Sequence, residues 1–314
     1  MKKIVNKIFK ITGLVILSII ALVVLVLGGL NIAKFAIYSE YYSIEESVCK
    51  NPGLSDGFVC QGIAADEESE VIIVSGYMKD DSDSRIYVTD LDSNSYYVNL
   101  KKEGKSFTGH CGGVAISHDV VYIASGSKIY TLSLDTLLNA NNGDDVEIGS
   151  GIKVETAASY VYTDENYLYV GEFHDGGKYV TDHIYNTAEG ENHAIIVRYD
   201  INDLSTPNKV YSIRNKVQGV CFTPDGKVVL STSYGLASSY YYVYNESEAT
   251  LSEHTFANAP VYYLDNCVDE IKGPAMAEDL DYYNGKVITL SESASDKYIF
   301  GKFFFANKIV SLDI

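Results

Sequence analysis

After residue 34 the chain alternates short apolar runs with turn residues, and one pattern recurs. Its clearest copy is Gln218 to Thr232, QGVCFTPDGKVVLST, an apolar strand, a Pro-Asp-Gly turn and a second apolar strand. Pro224 presets φ for the turn, while Asp225 and Gly226 tolerate the conformations a hairpin requires. Four stretches align with it: Gln61–Ser75, Gly112–Ser125, Ser159–Glu172 and Glu278–Ser291. Each is followed by a third β run, at Arg85–Asp92, Lys128–Asp135, Ala194–Asp200, Tyr240–Asn245 and Lys308–Asp313. A fourth run follows in four copies, at Tyr96–Leu100, Val146–Val154, Lys209–Ile213 and within His254–Leu264. Successive copies start 51, 47, 59 and 60 residues apart. A four-stranded unit repeating every 40–60 residues or so predicts an all-β chain folded as a β-propeller. Five blades are counted, with Thr250–Glu270 as the only room for a degenerate sixth. No segment beyond Lys34 has helical periodicity. The last unit ends at Ile314 without a fourth run, so Tyr38–Val48 is assigned as the strand that closes its open edge.

The first 34 residues differ in kind. Ile11 to Leu30 carries no charge, preceded by Lys2, Lys3, Lys7 and Lys10. A run of about 20 apolar residues is long enough to cross a bilayer. The positive-inside rule keeps the basic tail in the cytoplasm and places residues 35–314 outside, as an extracytoplasmic domain on a single-pass signal-anchor. A cleaved signal peptide is the competing reading, but the run exceeds the usual h-region and no A-x-A site follows.

FTPDGKVVLS and YYNGKVITLS resemble blade hairpins of extracytoplasmic propellers of the broad NHL, strictosidine-synthase and gluconolactonase-like kind. The resemblance spans Val59 to Ile314 and specifies a blade rather than an activity. In the metal-dependent gluconolactonase-like members, acidic residues at the starts of inner strands hold a divalent cation. Here Gln61, Gly112, Ser159 and Gln218 stand at four of those starts, and only Glu278–Asp279 is acidic. The blade count also departs from the six usual in that family.

The formal net charge is −18. Beyond Lys34, 19 basic side chains face 42 acidic ones, a balance that repels nucleic acid and anionic lipid heads. Lysine in excess of arginine, 27 tyrosines and no tryptophan suggest a bacterial source. Cys49, Cys60, Cys111, Cys221 and Cys267 fit no zinc spacing, and their odd number leaves at least one thiol unpaired within the chain.

In a propeller the loops entering strand a and the loops joining strands b and c share one face, where ligands meet the central channel. That geometry selects Gln61, His110, Gln218, Glu278 and Asp279 at strand-a starts, and Tyr77, Glu172, His174, Tyr234 and Glu292 on b–c loops. The longest such loop, Phe173 to His193, holds His174, His183 and His193 among carboxylates, but their spacings match no compact metal motif. His110 and Cys111 are adjacent, so on a strand they point to opposite faces and form no dyad. Gly109–Gly113, GHCGG, would let backbone approach a ligand. No GxSxG, phosphate-binding or dinucleotide motif occurs. The reading that follows is a monomeric, membrane-anchored propeller binding an extracytoplasmic ligand or envelope protein at its channel face. A metal-assisted hydrolase or lyase, lactonase-like, is the alternative, and a purely structural ectodomain is the third. Cofactor and catalytic residues are not identified by the sequence.

Overall fold

The computed structural model describes residues 2–314, so Met1 of the basic tail lies outside the described residues. Helix α1, Lys2–Ile37, is long and apolar enough to cross a membrane and stands clear of the rest of the chain over its apolar window. Beyond it, all five predicted hairpins form. They pair Phe58–Asp66 with Val71–Met78, Gly113–Ser117 with Val120–Ser125, Tyr160–Thr163 with Tyr167–Gly171, Val217–Phe222 with Lys227–Thr232, and Ala277–Tyr283 with Lys286–Ser291. These are strands a and b of blades 1 to 5. Strands c are Arg85–Asp90, Lys128–Ser133, Ala194–Asp200, Ser239–Asn245 and Lys308–Leu312. Each blade is antiparallel through four strands, and the blades form a five-bladed propeller. The Pro-Asp-Gly turn closes as its residues require: Gly226 sits at φ +86°, and the Thr223 hydroxyl donates to Asp225 and accepts from the Lys227 N–H.

The outer strands depart from the sequence reading in three places. Strand d of blade 5 comes from the N-terminus as expected, but as Glu45–Lys50, with Glu45 opposite Leu312 and Lys50 opposite Lys308. Much of the stretch assigned to it is helical: α1 runs on to Ile37, and α2 spans Ser39–Ile44. Tyr38 and Tyr41, three residues apart, are both buried, Tyr41 stacked on Tyr241 at 5.8 Å. That period of three aims one helical face into the crevice between blades 4 and 5.

In blade 2, strand d is only Ile152–Lys153, following a short helix α3, Leu134–Leu138. Asp145–Glu147 instead adds in parallel to Ser95–Lys102, strand d of blade 1. Blade 4 repeats the device. Its strand d is Cys267–Gly273, while Ala259–Tyr263 adds in parallel to Asp203–Ile213, strand d of blade 3. Each of these excursions pairs an outer edge that would otherwise face solvent. Thr250–Glu270 therefore belongs to blades 3 and 4, and the described residues form no sixth blade.

The core lies between blades. Ile63 and Ile72 pack against Ile288 and Ile309 between blades 1 and 5, and Val98 and Ile86 against Val121 and Leu132 between blades 1 and 2. Around the axis the inner strands crowd one another at one level, occupied by Gly62, Gly113, Tyr160, Gly219 and Asp279 in blades 1 to 5. A methyl group on Gly62 would lie 2.5 Å from Val114 N, one on Gly113 2.5 Å from Val161 N, and one on Gly219 2.5 Å from the Asp279 Cα. Three glycines thus set how closely the blades approach, and the side chains of Tyr160 and Asp279, both fully buried, fill what remains.

All five cysteines are free thiols, four of them buried. Gly113→Ala is expected to cost about 1–3 kcal/mol, because the added methyl meets backbone that has no rotamer to yield. Thermal unfolding of the full chain checks this, and an unchanged midpoint would mean that the inner strands do not touch there.

Candidate ligand site at the propeller mouth

Strands a begin and strands b end on one face, here called the mouth. Three of the five strands a carry a β-bulge just inside it. The pairing register slips at Gln61 in blade 1, at Gln218 in blade 4, and across Glu278–Asp279 in blade 5. A bulge leaves its extra residue out of the ladder and re-aims its side chain. Of the sequence candidates at strand-a starts, Gln61, Gln218, Glu278 and Asp279 thus stand at a backbone irregularity, and His110 precedes its strand.

Gln61, Glu278 and Glu292 come together. Gln61 is buried and donates from Nε2 to its neighbour's carbonyl at 2.8 Å and to Glu292 Oε2 at 3.0 Å. Glu278, 3% exposed, lies beside Glu292. Desolvation pushes the Glu278 carboxyl well above its ordinary range, and the nearby Glu292 and Asp279 charges push it further. Burial likewise raises Glu292, to about 7, against hydrogen bonds from Tyr298 and Gln61 and the charge of Lys297. Two buried carboxyls in contact cannot both ionise cheaply, so the pair holds a proton at neutral pH.

Aromatic rings wall this pair. Tyr77 and Tyr298 meet through their hydroxyls at 3.3 Å, and His110 stacks on Tyr77 at 4.6 Å. The His110 ring is open to water on one side, and crowding on the other, with Lys297 and Lys178, pushes its pKa down to about 4, leaving it neutral at pH 7. The Lys297 ammonium donates to the Tyr77 hydroxyl at 2.5 Å and sits 4.3 Å from the Tyr77 ring centre and 5.5 Å from that of Tyr298. Tyr298 and Lys297 were not singled out from sequence. Their only signal was their place in the loop that follows Glu292.

The other candidates lie apart from this group. Asp279 is below it at the axis, where its carboxylate accepts from the Ile63 N–H at 3.4 Å and its other oxygen has no partner. Asp281 does the same one step further in, accepting from the Ala65 N–H at 2.8 Å, and burial raises it to about 7. Both carboxyls cap N–H groups on the innermost edge of blade 1, which no further strand pairs. Gln218 is half-buried at its bulge, and Tyr234 stands on the rim, 50% exposed, 5.3 Å from the Lys216 ammonium.

Glu172 and His174 anchor the long loop of blade 3 from within. Glu172 accepts from the Ala157 N–H at 3.3 Å and lies 3.2 Å from His183 Nε2. His174 accepts at Nδ1 from the Thr181 N–H at 3.1 Å and stacks on His193 at 4.7 Å, and burial and the His193 charge lower its pKa. His183 thus pairs with Glu172 while His174 and His193 stack on each other, and among the described residues no three His, Cys, Asp or Glu side chains converge as a metal site. Cys111, buried with its thiol pushed up to about 12, sits in the left-handed region at φ +51°. It offers no thiolate. A separate cleft of about 470 Å³ on the opposite face is lined by Lys209, Glu246 and Tyr262, whose charges already pair: Lys209 binds Glu246 at 3.0 Å.

No protein-family model matches the chain, and no curated protein is similar to it. Several solved structures align with it over most of its length. Glutaminyl cyclase of Myxococcus xanthus aligns with a TM-score of 0.48 at 7% identity, over 85% of this chain and 95% of that one. The PQQ-bound aldose sugar dehydrogenase of Streptomyces coelicolor aligns with a TM-score of 0.45 at 15% identity, over 79% and 77%. Hydrazine synthase of Kuenenia stuttgartiensis aligns at 0.41 and 9% identity over 74% of this chain, which spans only 55% of that one. Nothing about activity follows from likenesses at this level.

The carboxyl pair has a consequence for stability. Glu292 is raised from 4.5 to about 7 on folding, so between those values the folded state binds a proton that the unfolded state has lost. The contribution is therefore fully present below 4.5 and is lost as pH rises through 7, and Asp281, raised from 3.8 to about 7, acts in the same direction. Glu292→Gln should flatten this decline and exceed the wild type in stability at alkaline pH by about 1 kcal/mol or more. Thermal midpoints measured across that range check it, and parallel curves for the two proteins would contradict it.

Proposed function

We propose that this chain is a membrane-anchored propeller, with α1 as its anchor and its ring outside the cytoplasm, which binds a ligand carrying an organic cation at its mouth. The observation that carries the reading is the proton-holding Glu278–Glu292 pair, framed by Gln61 and walled by Tyr77, Tyr298 and His110. A carboxyl pair with raised pKa takes up an amine or guanidinium by giving up its shared proton, which restores the favoured single charge balance. Aromatic faces beside it add cation–π attraction. Lys297 supports the choice of ligand charge, since its own ammonium already occupies such a place against Tyr77 and Tyr298. Its stem is exposed, so it can swing out and leave the rings to an incoming cation.

The test uses the full chain in detergent and a diamine, putrescine, as probe, followed by calorimetry. Binding should release protons and tighten as pH rises from about 6 to 8, since deprotonation of the pair precedes uptake. Glu278→Gln should weaken it by about tenfold or more, as for loss of a buried charge-assisted hydrogen bond. Lys297→Ala should strengthen it by removing the internal competitor. Affinity indifferent to both substitutions would place the ligand elsewhere.

A further inference from the structure

The mouth is also the face at which α1 meets the ring. Asn31, the first residue after the apolar run, donates from Nδ2 to the Lys302 carbonyl at 3.1 Å, and the Lys34 ammonium donates to the Phe305 carbonyl at 2.7 Å. Lys302 and Phe305 belong to the b–c loop of blade 5, which opens on the mouth. One turn on, the Tyr38 hydroxyl meets Ser238 of the blade 4 b–c loop at 3.2 Å, and its ring meets Phe304 edge-on at 6.2 Å. At a rise of about 1.5 Å per residue, the rim of blades 4 and 5 therefore sits within a few ångströms of the level where the apolar span ends.

The distribution of exposed apolar side chains agrees with that placement. Of the twelve large ones exposed beyond Ile37, eight lie on the b–c loops of blades 3, 4 and 5. They include Val180 and Ile184, Leu236, and Ile299, Phe300 and Phe305, with Ile299 79% and Phe300 64% exposed. The turns of the opposite face are acidic instead: Asp66 to Glu70 reads DEESE, and Asp164-Glu165, Asp200 to Asp203 and Glu246 to Glu248 continue the pattern. A ring that is acidic on one face and apolar-tipped on the other, with its anchor leaving from the apolar side, has a definite orientation to a bilayer.

We infer that the rim of blades 3 to 5 rests on the bilayer that holds α1, with Phe300 and its neighbours seated among lipid headgroups and upper acyl chains. This rests on α1 being a membrane anchor and goes beyond it, because an anchored ring could equally stand off the surface. The contact is apolar, so it needs no anionic lipid. The polar, acidic b–c loop of blade 1, Lys79 to Ser84, lies on the opposite side of the ring from the blade 3–4 boundary and stays in water, which tilts the mouth and leaves it open sideways.

The chain has no tryptophan, so one introduced indole reports alone. Three variants of the full chain, Phe300→Trp, Leu251→Trp and Leu22→Trp, are reconstituted in phosphatidylcholine vesicles with brominated acyl chains, which quench only an indole in contact with lipid. Leu251, 60% exposed on the outer rim, is the solvent control, and Leu22 reports the span. The expected result is blue-shifted, quenched emission from Phe300→Trp and Leu22→Trp, and unquenched, solvent-like emission from Leu251→Trp. Quenching of Leu22→Trp alone would overturn the inference while leaving the anchor in place. Loss of quenching at Leu22→Trp would overturn the anchor and this inference with it.

Discussion

Five inner strands meeting at one axis is the constraint on which the rest of the structure depends. A fifth of a turn per blade brings the inner strands close enough for backbone to touch backbone, which only residues without a Cβ permit. Gly62, Gly113 and Gly219 meet that condition, and Tyr160 and Asp279 take the two remaining places with side chains that plug the axis. The same closeness creates a second demand. The innermost strand of each blade has an edge with no partner, and its N–H groups must be satisfied from across the axis. Asp279 and Asp281 answer it for blade 1, holding the N–H groups of Ile63 and Ala65 and stitching the last blade to the first from the inside. Glu45–Lys50 makes the corresponding join on the outside.

The mouth site is what the same strands do where the crowding ends. Just outside the glycine level, strands a of blades 1, 4 and 5 slip register, and the bulged residues are the long polar Gln61, Gln218 and Glu278. A bulge bends the strand, increases its local twist and leaves one residue out of the ladder. Structure and candidate chemistry are therefore separated by one residue: Glu278 faces Glu292 at the mouth, while Asp279 caps backbone at the axis. An adjacent pair of acids, read together from the sequence, divides into two roles across the bulge that holds both.

Much of this was legible beforehand. Hairpins are local, and two of the five carry Pro-Asp-Gly or Asn-Gly turns, so the repeat, the blade count and the shared face of Gln61, Glu278 and Glu292 could be read from spacing alone. The outer strands were less legible, because their pairing is decided by tertiary contact. Val146–Val154 and the run within His254–Leu264 read as strands d of their own blades, yet only Ile152–Lys153 stays with its blade, while Asp145–Glu147 and Ala259–Tyr263 pair with the preceding one. Tyr38 to Ile44 read as strand because tyrosines favour strands, and it is a helix because Tyr38 and Tyr41 find burial on one side only. Tyr298 and Lys297 lie in a loop without periodicity, so nothing short of the folded ring could bring them to Glu292.

The join at blade 5 ties these levels together. Its strand c is the last segment of the chain given, and its strand d is among the first, so the ring closes by pairing Leu312 with Glu45 across nearly the whole sequence. Such a contact closes one of the longest loops in the chain, at a correspondingly high cost in loop-closure entropy. Until it forms, the Lys308–Leu312 edge is open. The segment that supplies the closing strand leaves α1 through α2, and this junction is pinned to blade 4 by Tyr38 and Tyr41 and to the blade 5 loop by Tyr38 against Phe304. Docking of the α1 end therefore positions the closing strand, and closure in turn fixes the blade 5 loop that carries Glu292, Lys297 and Tyr298. The candidate site, the ring closure and the helix junction share one blade, so a change that loosens any one of them reaches the other two through a few residues of continuous chain.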